Sequence, residues 1–170
     1  MTIRLARALP DWTIDALDGS AAMLDLAHAA AMDHDVQSRV RLSEARIPYD
    51  EPPGTGYDLL FSNSLLHHLA EPRPFWSALI RWGKAAAFIF LMDLMRPNSE
   101  SDARALVERY ASSEPEILRI DFYNSLRAAY RPVEVREQLA DAGLAHLAVE
   151  VVSDRHFVVW GRSRGSSPLF

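Results

Sequence analysis

The chain has 170 residues, 49% of them apolar and 24% charged, with a formal net charge of -5. That is the balance of an ordinary globular protein, long enough for one domain with a real core. The acidic excess argues against nucleic acid as a partner, since a phosphate-tracking surface needs a basic one. With no cysteine at all, disulfides, thiolate metal sites and cysteine nucleophiles are excluded for this chain.

No apolar run approaches the roughly 20 residues that span a bilayer. The start, Met1 to Arg7, lacks the apolar segment of a signal peptide. The expectation is a soluble, cytoplasmic protein without a membrane partner.

Residues Ile3 to Leu9 read as the last turns of a helix, with Leu5, Ala8 and Leu9 on one face and Pro10 as the stop. Trp12 to Leu17 reads as a short strand that ends at Asp18-Gly19-Ser20. Ser20 is suited to cap a helix whose apolar face is Met23, Leu24, Ala27 and Ala31. A brief strand at Val40 to Leu42 leads to Ser43-Glu44-Ala45. Pro48, Pro52, Pro53, Gly54 and Gly56 then mark a long turn-rich connection. Its Gly54-Thr55-Gly56 precedes a strand instead of joining a strand to a helix, which argues against a phosphate loop.

Two apolar runs follow, Tyr57 to Phe61 and Ala86 to Met92, each closed by polar residues and separated by a helix containing Trp76, Leu79 and Ile80. This is the pattern of parallel strands buried on both faces. Ligands in such sheets sit beyond the carboxyl ends of the strands, which directs attention to Ser62, Asn63, Asp93 and Arg96. Helices are expected from Ser99, with Ala103, Leu106, Val107 and Tyr110 on one face, and over Ile117 to Tyr130, with Leu118, Phe122 and Leu126 aligned. Together, residues 98–131 form an insertion over the ligand end of the sheet. Pro132 opens another helix, which turns Val135, Leu139 and Ala142 inward and stops at Gly143. Strands Leu147 to Val152 and His156 to Trp160 close as an antiparallel hairpin through Ser153-Asp154-Arg155. Residues 1–162 make one domain and 163–170 a tail.

His67 and His68 are neighbours, so on a helix they point about 100° apart and do not serve one metal easily. No metal site is expected. Asp93 and Arg96 suit an ion pair that fixes their loop.

In their order, Asp18-Gly19-Ser20-Ala21-Ala22-Met23-Leu24, Glu44-Ala45, Ser62 to Leu69 and Asp93-Leu94-Met95-Arg96-Pro97 resemble a class I S-adenosylmethionine-dependent methyltransferase of the small-molecule branch. The resemblance implies an α/β, Rossmann-like sheet with helices on both faces and a C-terminal antiparallel hairpin. It also implies S-adenosylmethionine as cofactor and a small-molecule methyl acceptor. The family's first strand and Gly-rich loop have no counterpart here, so by the resemblance the chain is N-terminally truncated, either because its start lies further upstream or because its gene has lost its front. The missing strand would lie between the strand ending at Asp18 and the one ending at Ser62. Two unpaired edges would remain unless the sheet rearranges or another chain, such as a second copy in a homodimer, covers them.

The resemblance assigns Asp18 to the cofactor ribose; the other reading is an acid at a helix start. Gly19 belongs to the same turn. Glu44 resembles the acid that meets the adenine amino group, and Ala45 would set its amide near the ring. Met23 either packs on adenine or is a core residue. Ser62 and Asn63 would line the methionine end. His67, His68 and Asp93 are candidate catalytic groups, and Arg96, Tyr123, Arg131 and His156 candidate substrate contacts. The function implied is methyl transfer to a small molecule, impaired without the Gly-rich loop; the alternative is a non-catalytic remnant that acts by binding or dimerisation.

Overall fold

The computed structural model describes residues 1–163; of the expected tail, 164–170 lie outside the described residues. The chain forms two compact units, Met1–Thr55 and Gly56–Phe170.

The first unit contains α1 (Thr2–Ala8), β1 (Ile14–Asp18), α2 (Ala21–Asp33) and β2 (Val40–Glu44). β1 and β2 make a two-stranded parallel sheet in which Ile14 lies opposite Val40 and Asp18 opposite Glu44. α2 starts where the sequence predicts, because Ser20 Oγ accepts from the Met23 N–H at 3.4 Å. Its expected face needs one correction. Ala31 is buried and Leu24 and Ala27 half-buried, but Met23 is 53% exposed. Ala6, Ala31, Val36 and Val40 form the small core, with Ile3, Ile14 and Leu42 against it. Arg39 locks it from the rim. Its guanidinium donates to the carbonyls of Ala6 at 2.8 Å and of Leu9 and Trp12 at 3.2 Å, satisfying groups that the end of α1 leaves open.

The second unit holds β3 (Tyr57–Asn63), a single 3-10 turn (Leu66–His68), α3 (Arg73–Trp82), β4 (Gly83–Leu94), α4 (Glu100–Ala111), α5 (Glu116–Ala128), α6 (Pro132–Asp141), β5 (Ala148–Val151) and β6 (His156–Arg162). Its sheet has the order β3-β4-β6-β5. The β3–β4 pair is parallel, and β6 runs antiparallel to both β4 and β5, which is the expected hairpin. Along β4, Ala87, Ile89, Leu91 and Asp93 are buried, while Phe88, Phe90 and Met92 on the opposite face are half-buried. α3 buries Phe75, Trp76, Ala78, Leu79 and Trp82, while Ile80 is exposed. Burying Phe75 and Trp76 contributes on the order of 2–3 kcal/mol each. β4 begins at Gly83, where the side-chain methyl of any other residue would come within 3.0 Å of Leu60 and 2.9 Å of Ala87.

α6 opens with Pro132, and the Glu134 carboxylate accepts the Arg131 N–H at 2.8 Å. It closes as the sequence predicts. Gly143 takes φ +74, and the Leu144 N–H donates to the Leu139 carbonyl at 2.7 Å. α4 and α5 share a core made of Leu106, Val107, Ala111, Leu126 and Ala129 with Leu94 from the carboxyl end of β4. Tyr110 and Leu118, expected on the inner faces of these helices, are 44% and 50% exposed. Among the described residues, no helix is long and apolar enough to cross a membrane.

Candidate functional site

In the first unit, the parallel register brings Asp18 and Glu44 side by side at the carboxyl ends of β1 and β2. Two backbone-level interactions fix Asp18. Its Oδ1 accepts the Ser20 N–H at 2.9 Å, and its carbonyl accepts the Ala45 N–H at 3.0 Å. Oδ2 has no protein partner among the described residues, and neither has the exposed Glu44 carboxylate. Two carboxylates with open acceptor oxygens, one strand apart, suit a ligand that presents hydroxyl and amino donors. A side-chain methyl at Gly19 would meet nothing closer than the Ala45 carbonyl at 3.7 Å, so space remains beside the pair.

Ala45 is buried at 5% exposure, and its amide is committed to Asp18. It can form a wall there but cannot donate to a ligand. Met23, being exposed, is free to cover a ligand; the core alternative does not hold. Glu44, Ala45, Arg46, Tyr49 and Asp50 line an open hollow of about 580 Å³. Its last three residues, Arg46, Tyr49 and Asp50, carry no motif of their own in the turn-rich stretch after Glu44-Ala45. Their signal was an aromatic held in a Pro-containing turn directly after an acidic strand end.

In the second unit, β3 ends at Asn63 opposite Met92, and Ser64 leaves the sheet with φ 56. A non-glycine residue in that region costs on the order of 1 kcal/mol or more. Ser62 is half-buried, and the exposed Asn63 donates from Nδ2 to Ser64 Oγ at 3.1 Å. The 3-10 turn that follows is pinned by Asp93, which is 1% exposed. The Asp93 carboxylate accepts the Leu66 N–H at 2.7 Å and the Leu94 N–H at 2.8 Å, and it lies 2.6 Å from His67 Nδ1. His67 is buried, and its ring lies 4.0 Å from that of the exposed His68. Partial desolvation of its ring, and then the neighbouring His67, hold the His68 pKa below its ordinary 6.5. His68 is therefore neutral at pH 7 and able to accept a proton.

The expected Asp93–Arg96 pair does not form. Asp93 is taken by His67 and the two amides, while the Arg96 guanidinium pairs with Glu134. A buried aspartate recruits the donors nearest its own strand end, and the start of α6 brings a carboxylate to Arg96. Tyr123 is half-buried, with the Arg104 and Arg127 guanidinium groups 5.1 and 5.8 Å from its ring centroid. Arg131 is exposed at the start of α6. His156 pairs opposite Leu94, with Nδ1 3.0 Å from Ser153 Oγ.

A sequence profile described as a methyltransferase domain matches residues 1–88. The fold is similar to solved structures throughout. A crystal structure titled as a putative O-methyltransferase from Nostoc punctiforme aligns with a TM-score of 0.68 at 18% identity, covering 94% of this chain and 48% of that one. A SAM-dependent methyltransferase from Aquifex aeolicus gives a TM-score of 0.62 at 19% identity, with 88% and 68% covered. An O-methyltransferase family 2 protein from Planctomyces limnophilus, solved in complex with apigenin, gives 0.65 at 17% identity, with 95% and 45% covered. The chain thus spans about half the length of two of these proteins and about two thirds of the third. No curated protein matches it in sequence.

Proposed function

Because the chain belongs to the methyltransferase-domain family, we propose that it binds S-adenosylmethionine through the Asp18–Glu44 end of its two-stranded sheet and serves methyl transfer to a small-molecule acceptor. The observation that carries this reading is the pairing of two carboxylates, each with an acceptor oxygen open, at adjacent strand ends. Asp18 accepts hydrogen bonds from the two ribose hydroxyls, and Glu44 accepts from the adenine amino group. The Asp18 carboxylate is already oriented by the Ser20 amide, so little ordering remains to be done on binding. Met23 closes over the ring, and Ala45 forms the wall behind it.

When bound, S-adenosylmethionine supplies an electrophilic methyl group on a sulfonium. What the protein adds is alignment, desolvation and, for a hydroxyl acceptor, a base. His68 is the candidate base, being neutral at pH 7 and held on a turn that Asp93 and His67 fix. Tyr123 and Arg131 are the acceptor-side candidates, while Arg96 is engaged by Glu134. The similar structure from Planctomyces limnophilus, solved in complex with apigenin, supports a small-molecule acceptor.

Calorimetry with S-adenosylhomocysteine tests the reading. Saturable binding is expected, and Asp18→Ala should abolish it. No heat at millimolar ligand, or unchanged affinity in Asp18→Ala, would sink the assignment.

A further inference from the structure

Tyr49 stands on the hollow that Glu44 and Ala45 open onto. It is 72% exposed, the most of any large apolar or aromatic side chain among the described residues. Neither its ring nor its hydroxyl has a partner there. Leaving so large an apolar face in water forgoes the gain that burial would bring.

The backbone beneath it is held. The Arg46 N–H donates to Asp50 Oδ2 at 2.7 Å, and the Tyr49 and Asp50 N–H groups both donate to the Arg46 carbonyl, at 2.7 and 3.0 Å. Pro48, directly before Tyr49, is buried. The turn is therefore closed on itself and anchored, and the ring has only its two side-chain torsions to settle. An aromatic presented in this way gives up little entropy when it is covered.

The same hollow offers the Glu44 carboxylate as an acceptor, and the strand register sets Asp18 beside Glu44. A flat apolar face, one free acceptor and a second carboxylate one strand away fit a flat ring that bears an amino donor and carries a diol. We propose that Tyr49 stacks on the adenine ring of the cofactor and sets the affinity of the adenosine end. The proposal rests on the cofactor reading above and adds to it a residue outside the acidic pair.

Titration calorimetry on the full chain tests it with two probes, S-adenosylhomocysteine and adenosine. Tyr49→Ala should weaken both by about tenfold or more, as base stacking on an aromatic does. Tyr49→Phe should bind as the wild type does, and Tyr49→Trp should bind with quenching of an added fluorescence signal. Matched urea midpoints of these variants and the wild type would confirm that the exposed side chain carries no fold stability. If Asp18→Ala loses binding while Tyr49→Ala keeps it, the Tyr49 role is overturned and the cofactor reading stands. Equal loss in Tyr49→Ala and Tyr49→Phe overturns stacking in favour of the hydroxyl. Absence of binding by the wild type to either probe overturns both.

Discussion

His67 Nδ1 lies 2.6 Å from Asp93 Oδ1, joining two buried side chains that are 26 residues apart in sequence. The contact ties the turn after β3 to the end of β4, and the Leu66 and Leu94 amides complete the set of donors around the carboxylate. Asp93→Ala leaves three buried donors without an acceptor, and each would lose its partner without regaining water. We expect a loss of about 3 kcal/mol or more in urea unfolding. Asp93→Asn should recover a part of it, because its Oδ1 still accepts while its Nδ2 meets a donor. A midpoint within experimental error of wild type in Asp93→Ala would refute the pinning role.

The order of elements was legible because each carries its own local signal. Ser20 and Ser99 cap their helices through the Met23 and Asp102 amides, and Gly143 ends α6 in the left-handed conformation. Strand ends were legible for the same reason, and Asp18, Glu44 and Asp93 fall where apolar runs stop. Partner choice was not. Asp93 and Arg96 are near in sequence and of opposite charge, which suggests a pair. Which donors reach a buried carboxylate depends on strand register and on the turn after β3, and neither is written locally. Met23 has the spacing of a core residue, yet it lies outside because the small sheet beneath α2 gives cover to Ala31 and its neighbours only.

Arg39 reaches three carbonyls at once through the two terminal nitrogens of its planar guanidinium fork. Arg39→Ala should cost about 1–3 kcal/mol, in line with charged hydrogen bonds lost from a helix end. Lys should restore a part of this, since its single nitrogen does not span acceptors that two guanidinium nitrogens share. Hydrogen exchange would report the change as faster exchange at Leu5 and Leu9, whose amides bond to the Met1 and Leu5 carbonyls. Unchanged protection there would rule out the staple.

His68 and His156 both have pKa values held below the ordinary 6.5, chiefly by burial. The folded state therefore favours the neutral rings. In the unfolded chain each ring takes up its proton near pH 6.5, while the folded protein resists until a lower pH. The stability these two contribute is complete above pH 6.5 and is lost as pH falls through the folded values. Urea midpoints should decline from pH 7.5 to 5.5. His68→Gln and His156→Gln should each flatten that decline. A steeper or unaltered slope in both variants would contradict the assignment.

Tyr130 links the segment between α5 and α6 to the histidine turn, because its hydroxyl donates to the Leu69 carbonyl at 2.6 Å. Burial, and then Glu71 and Glu134, push its pKa above 10.0, so it stays a donor across the working range. Its backbone is held as well, by the Arg96 N–H at 3.2 Å, so the ring approaches the turn from a fixed base. Tyr130→Phe removes the donor and leaves the ring. The expected loss is about 1 kcal/mol, the net worth of one hydrogen bond. The more telling readout is local. The His68 and Leu69 amides donate to the Leu65 and Leu66 carbonyls, and they should exchange faster once the Leu69 carbonyl is released. The Val135 amide, inside α6, should not change. If both regions loosen equally, Tyr130 supports the fold at large and does not hold the turn.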